Sequence, residues 1–291
     1  MPALRRLLRS QQVGLVLIIV TLVAALSLLA GSHVDEATGK TINNFFNSHT
    51  LIQTATDASF VAIMAVGATV VIISGGIDLS VGSVYALAGV AMGLLLRGIA
   101  FVTSKAESIL LPEALTRFAK APLGLGNALY PVPMLAMLVI AVLGAVYLER
   151  TVMGRHVFAV GGNAEASRFS GLRLGRIQIG VYVLAGLCAG LAAFLGASFY
   201  GSVSCGDATG YELYVIASAV VGGARLSGGR GSAINAMLGA VLIVLIRQSI
   251  RTLHLDQNYE WIIIGCAIVL AVVLDQASTR FAARRLAAGG R

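Results

Sequence analysis

Two charges stand in apolar territory, each just after a glycine pair. Asp78 follows Gly75-Gly76 in "VVIISGGIDLSVGS" (70–83), and Arg225 follows Gly222-Gly223 in "VVGGARLSGGRGS" (220–232). A charge within a membrane helix costs roughly 2.5–3.5 kcal/mol on insertion scales, so its retention points to use or pairing. With Ser80 and Ser227 close by, such breaks have the chemistry to line a polar path at mid-depth, where backbone freed from a helix is tolerated. Two plainer roles stay open. Asp78 can N-cap a half-helix starting at Leu79, and Arg225 can sit at the inner surface as basic residues tend to.

Catalytic chemistry finds little support. The four histidines (His33, His49, His156, His254) are scattered, with no metal-ligand spacing. Cys188, Cys205 and Cys266 are odd in number and show no CxxC pattern, so no disulfide framework is implied. Cys188 and Cys266 lie in apolar runs and read as small packing residues. "ATGKT" (37–41) has the end of a phosphate loop, but Val34 stands where its first glycine belongs. "SGGRGS" (227–232) lacks the lysine altogether. The chain is therefore expected to be no enzyme and to hold no metal, nucleotide or other cofactor.

The elements that must position these residues are membrane helices. Of 291 residues, 57% are hydrophobic and only 12% charged, and 34 are glycine. The mean hydropathy is +0.88. Soluble domains carry about twice that charge. Apolar runs at 13–31, 51–74, 82–103, 131–148, 177–199, 211–224, 232–246 and 261–275 predict eight crossings of a polytopic, all-α membrane bundle. The first run follows Arg5, Arg6 and Arg9 but is longer than a secretory signal's apolar core, so it reads as an uncleaved span. The sixth is too short for a straight crossing and predicts a half-helix or a broken one. Gly89-x-x-x-Gly93 and Gly186-x-x-x-Gly190 offer small faces for close helix packing.

The formal charge of +8 is explained by orientation rather than by nucleic acid. With the N-terminus inside, the inner segments hold Arg5, Arg6 and Arg9; Arg150, Arg155, Arg168, Arg173 and Arg176; Arg225 and Arg230; and Arg280, Arg284, Arg285 and Arg291. The outer segments hold Lys40, Lys105, Arg117, Lys120, Arg247 and Arg251. That is fourteen basic residues against six, and it predicts both termini in the cytoplasm. Segments 149–176 and 276–291 then face inward, and 32–50 and 104–130 outward.

The polar break occurs twice. "ISGGIDLSVGSVYALAGVAMGLL" (73–95) and "VVGGARLSGGRGSAINAMLGAVL" (220–242) both run glycine pair, small or apolar residue, charge, Leu-Ser, then Gly-Ser opening an apolar run. Gly75-Gly76 aligns with Gly222-Gly223, and Leu79-Ser80 with Leu226-Ser227. Duplicated halves with interrupted helices are a transporter signature.

One soluble segment stands out, "ERTVMGRHVFAVGGNAEASRFSGLRLGRIQI" (149–179). Gly161-Gly162 reads as a turn, Asn163 as an N-cap and Gly171 as a helix stop at positive φ. They bracket a helix of about two turns, with Glu165 in its first turn, where its charge suits the helix dipole. Ala166, Phe169 and Ser170 share one face. Such a helix suits docking.

Here the residues reach a family. Glu165-Ala166-Ser167-x-x-x-Gly171 resembles the E-A-A-x-x-x-G loop of ATP-binding-cassette importer permeases. With "IISGGIDLSVGS" and "VVGGARLSGGRGS", it is similar to the monosaccharide branch, typified by ribose, xylose and galactose permeases and close to autoinducer-2 permeases. The resemblance implies a permease subunit in the bacterial inner membrane that takes up a small sugar, one transmembrane domain over 1–291 with a coupling loop at 149–176. It implies as partners a second permease, identical or not, two cytoplasmic ATPase subunits and a periplasmic sugar-binding protein. Family members usually have about ten spans. Here Ala91–Leu96 runs straight into Arg97-Gly98, so two spans are expected to be missing. A degenerate, non-transporting partner permease and a secondary transporter remain as alternatives, the latter having no need of a docking loop.

Overall fold

A computed structural model describes residues 11–34, 41–76, 99, 102–103, 105, 107–120, 131–204, 210–266, 269 and 273. In chain order its elements are α1 (Gln11–Leu29), β1 (Ser32–Val34), β2 (Thr41–Asn43), α2 (Ser48–Ile73), β3 (Ile109–Leu110), α3 (Glu113–Ala119), α4 (Val132–Arg150), α5 (Val152–Gly162), α6 (Ala164–Phe169), α7 (Leu174–Tyr200), β4 (Ser202–Val203), α8 (Tyr211–Val221) and α9 (Ala233–Thr252). A further helix covers 258–266. Among the described residues, α1, α2, α4, α7 and α9 are long and apolar enough to cross a membrane, while α8 is a shorter apolar helix. The run expected at 82–103 lies almost wholly outside the described residues, as does most of 261–275 beyond 266.

Helix α2 is the hub, packed by α4, α7, α8 and α9. Its sequence explains this, because alanine, glycine, serine and threonine recur on every face and let neighbours approach. A methyl group on Gly67 would lie 2.9 Å from Cys188 Cβ and 3.0 Å from Ala185 Cα, which marks the α2–α7 contact. One on Gly144 of α4 would lie 2.7 Å from Val66 Cγ1. The polar side chains cost little in this interior because they bond back to their own helix, as Thr69 Oγ1 does to Ala65 O at 2.7 Å. Around the hub, α1, α4 and α7 expose Leu17, Val142 and Leu187, the apolar outer surface that a bilayer covers.

Two packing expectations need correction. Among the described residues, Gly186 and Gly190 have no atom within 4 Å of an added methyl group, and they lie on the exposed face of α7. The close approach on this helix is instead at Cys188, because the α2-facing stripe sits on the opposite side. Cys188 is thus a packing residue, whereas Cys266 is exposed. Gly89, Gly93 and Cys205 lie outside the described residues.

The bundle has two dissimilar ends. At one end the chain leaves α1, makes the β1–β2 hairpin and enters α2 behind the cap Asn47, whose Oδ1 accepts from Thr50 N at 2.8 Å. The β3–β4 pair, α3, the end of α7 and the start of α8 gather there too. The other end holds the close of α2, helices α5 and α6, the close of α8 and the start of α9. Along α2, Asp57 and Gly75 are separated by about 27 Å at 1.5 Å per residue, close to the hydrocarbon thickness of a bilayer.

Candidate functional site: a glycine joint and the helix it carries

The two helices that lead into the glycine pairs end in the same way. At the close of α2, Gly75 takes φ +80°, its N–H donates to Ile72 O at 3.0 Å, and Gly76 N donates to Val71 O at 3.1 Å. At the close of α8, Gly223 takes φ +87°, donating to Val220 O at 2.8 Å while Ala224 N donates to Ala219 O at 2.9 Å. These paired bonds satisfy the last carbonyls of each helix and require a residue at positive φ, which glycine adopts without strain. The left-handed residue is the first glycine of one pair and the second of the other. Cap geometry therefore matches Gly75 with Gly223, one residue out of the Leu-Ser register. Gly222 is small for another reason: a methyl group there would lie 2.5 Å from Asn235 O of α9.

The three separate motifs meet at one carbonyl. Ile73 O, at the end of α2, accepts from Gly229 N at 2.9 Å. A methyl group on Gly161 would lie 1.7 Å from that same oxygen, and one on Gly228 would lie 2.7 Å from Gly161 O and 3.0 Å from Gly75 Cα. Gly229 is likewise 2.9 Å, methyl to Cα, from Gly162. The turn that presents Gly228 and Gly229 is closed by Arg225 N donating to Arg230 O at 3.0 Å and Gly228 N to Arg225 O at 2.9 Å. Arg225 is half-buried and Ser227 exposed. Asp78 and Ser80 lie outside the described residues.

Gly161 and Gly162 do not form the expected turn. They are the last residues of α5, which ends only at the extended Asn163 (φ −161°). Their smallness serves backbone-to-backbone approach, which sequence alone cannot distinguish from turn formation. Helix α5 is itself fixed: Thr151 Oγ1 accepts from Gly154 N at 3.0 Å, and Val157 and Val160 pack with Val70, Ile73, Leu148 and Ile177.

Helix α6 projects from this frame. Asn163 Oδ1 accepts from Ala166 N at 2.9 Å as the N-cap. At its other end Gly171 has φ +83°, with Gly171 N donating to Arg168 O at 3.0 Å and Leu172 N to Ser167 O at 3.1 Å. Ser167 is buried, whereas Glu165, Ala166, Arg168, Phe169 and Ser170 are exposed. Phe169 is 84% exposed. A short helix rigid at both ends, with a bare aromatic ring and charges of both signs, can dock a partner and pass its movement to the joint.

The opposite end holds residues that the sequence reading missed. Tyr200 Oη donates to Asp57 Oδ1, and Tyr214 Oη to Glu260 Oε1. Arg247 Nε lies 3.0 Å from the same Glu260 oxygen, and the guanidinium sits over the rings of Tyr211 and Tyr214 at 5.8 and 5.2 Å. Arg247 and Arg251 were expected in a loop after 246, but α9 continues to Thr252. The acidic and aromatic partners of Arg247 are what allow its charge inside the helix. The available signal was Asp57, a carboxylate inside the apolar run 51–74, and Glu260, just before the run at 261–275.

Fold and site together define a multi-pass helical membrane protein in which the close of α2, the turn after α8 and the helix pair α5–α6 share a joint. The family described as the permease component of branched-chain amino acid transport systems matches residues 96–272. The chain belongs to that family. It is 31% identical over 302 residues, 88% of this chain and 92% of the relative, to the ribose import permease protein RbsC of Escherichia coli strain K12. It is 32% identical over 310 residues to the probable ABC transporter permease protein YphD of the same strain, covering 91% and 89% of the two chains. With the fructose import permease protein FrcC of Rhizobium meliloti it shares 26% over 284 residues, 80% and 79% of the two chains. No solved structure matches.

Proposed function

We propose that this chain is the membrane-spanning permease subunit of an ATP-binding-cassette importer that takes up a pentose or hexose, driven by ATP hydrolysed on partner chains. The names of its relatives support the cargo class. The observation that carries the mechanism is the meeting of Gly161 and Gly229 at Ile73 O, with Gly75 packed beside them against Gly228. Through it, a push on α6 reaches the ends of both interrupted helices without passing through any flexible side chain. An interior that packs backbone on backbone transmits displacement instead of absorbing it.

In this reading Glu165, Ala166 and Phe169 of α6 meet a cytoplasmic ATPase subunit, and segment 149–176 is the coupling loop of a single permease domain over 1–291. The fourteen-to-six basic asymmetry supports a reading with the glycine end and both termini in the cytoplasm of a bacterial cell. A second permease subunit, identical or related, completes the pathway, and a periplasmic sugar-binding protein delivers cargo to the aromatic end. The twin breaks are read as an internal repeat, with Asp78 and Ser80 in the first copy and Arg225 and Ser227 in the second along the path. The apolar runs of the sequence are read as about eight spans, two fewer than in the resembled family. An aligned stretch of 302 positions exceeds the chain's 291 residues, so it opens gaps in this chain, in keeping with lost spans near 91–98. That loss favours the second reading, a partner permease that docks an ATPase without supporting uptake.

Co-expression with an ATPase and a sugar-binding protein of one importer, in cells stripped of their own monosaccharide systems, tests the proposal. Uptake of labelled D-ribose or D-fructose is expected, and Asp78→Asn should lower it without loss of insertion. ATPase co-purification without uptake of any monosaccharide would establish the second reading instead.

A further inference from the structure

We infer that Arg247, Glu260 and Trp261, backed by Tyr211 and Tyr214, form a binding site for one monosaccharide at the end of the bundle opposite the glycine joint. The inference rests on the sugar-import reading above. Among the described residues, both side-chain contacts of Glu260 fall on one oxygen: Tyr214 Oη donates to Oε1, and Arg247 Nε lies 3.0 Å from that same Oε1. Oε2 takes neither. The Nε contact is Coulombic and not a directed hydrogen bond, and Nε itself is buried, so a solute would meet the terminal nitrogens of the guanidinium. The side chains of Arg247 and Glu260 are 23% and 12% exposed, leaving an edge that a solute can reach. Charges within a membrane helix are kept for a purpose, and a purely structural pair of this kind gains most from bidentate geometry, which is absent here.

The chemistry matches a neutral polyol. Vicinal hydroxyls can donate to Oε2 and accept from the guanidinium, forming charge-assisted bonds across a pair whose charges already cancel. Trp261 supplies an apolar face for the C–H side of a sugar ring. It is 46% exposed, and its ring is held in place by Tyr214, with centroids 6.0 Å apart. It also rests on Gly210 at the head of α8, where a methyl group would lie 2.5 Å from Trp261 Cη2. An interfacial aromatic belt would explain Trp261 alone, but not the mostly covered ion pair beside it. A bound sugar would therefore touch α8, α9 and the helix beginning at 258 together, and α8 runs directly to the break at Gly222-Gly223.

Trp261 is the single tryptophan in the sequence, which makes it a reporter. The full chain in lipid nanodiscs is titrated with D-ribose, D-fructose and L-leucine while Trp261 emission is read. A saturable change with one of the sugars is expected. Its half-saturation should rise about tenfold in Glu260→Gln and in Arg247→Lys, the loss of one charge-assisted bond, and stay put in Glu113→Gln on the exposed α3. Arg247→Lys retains the charge, so it reports even where Glu260→Gln fails to insert, and circular dichroism shows which variants keep native helix content. Emission that no sugar moves, or that moves equally in wild type and both variants, overturns the site while uptake by the assembled importer leaves the sugar reading standing. A response to L-leucine in place of sugar, with no monosaccharide uptake, overturns both.

Discussion

The two ends of the bundle are joined by the same helices but are built on opposite principles. At the glycine end, the central contact is made by backbone: Gly161 and Gly229 crowd Ile73 O, and Gly228 packs on Gly161 O and Gly75 Cα. At the other end, contact is made by long side chains, with Tyr200, Tyr214, Arg247 and Glu260 reaching across five helices. Backbone contact has no rotamers to rearrange, so it transmits force and tolerates no substitution. Side-chain contact can exchange partners, so it suits a surface that meets a solute. The comparison predicts intolerance at one end and graded, rescuable loss at the other.

The sharpest break of that contrast is Gly161→Val. The first added carbon alone would lie 1.7 Å from Ile73 O and 2.7 Å from Gly229 N, both backbone atoms. Relief requires moving whole segments, beyond the roughly 1–3 kcal/mol of ordinary overpacking. Loss of the folded chain from the membrane, or insertion without any transport, is expected by detergent-solubilised thermal stability and uptake assays. Near-normal uptake would show that the joint is loose.

Arg247→Ala comes next. It strands the Glu260 carboxylate against Tyr214 and removes the cation from two aromatic faces. Breaking a fully buried pair costs about 3–5 kcal/mol, and the partial exposure here should bring the cost below that range. The chain should insert but melt earlier, and Arg247→Ala with Glu260→Leu should recover part of the loss. No recovery in the thermal shift would mean that Arg247 acts mainly through the tyrosines.

Gly171→Val should cost less in stability, since no atom of the described residues lies within 4 Å of the added carbon and the strain is in the φ of +83°. A β-branched residue there costs roughly 1–2 kcal/mol or more, locally. The effect should appear as uncoupling: a permease that inserts yet binds ATPase poorly or lets it hydrolyse without transport. Wild-type coupling would reduce the loop to a linker.

Smallest for the fold itself are Phe169→Ala and Glu165→Ala. Both side chains are exposed, so the melting temperature should move little. ATPase co-purification should fall clearly with Phe169→Ala and mildly with Glu165→Ala. A fall in melting temperature with unchanged co-purification would place the docking face elsewhere.

Much of this molecule was legible in its residues. The apolar runs at 51–74, 131–148, 177–199 and 232–246 became α2, α4, α7 and α9, because hydrophobic length is a local property. Asn163 as a cap and Gly171 as a left-handed stop were also local, decided by one side-chain oxygen and one missing Cβ. What the glycines were for was decided elsewhere. Gly75 and Gly223 are glycines because of φ, but Gly161 is one because Ile73, 88 residues away in sequence, presses its carbonyl against it. No local pattern separates those cases. The same holds for Arg247, which reads as a loop cation until Glu260 and two tyrosines arrive from other helices. Pattern determines where a helix runs and stops; only the packed bundle determines which small residues are hinges, which are contact points, and which charges have partners.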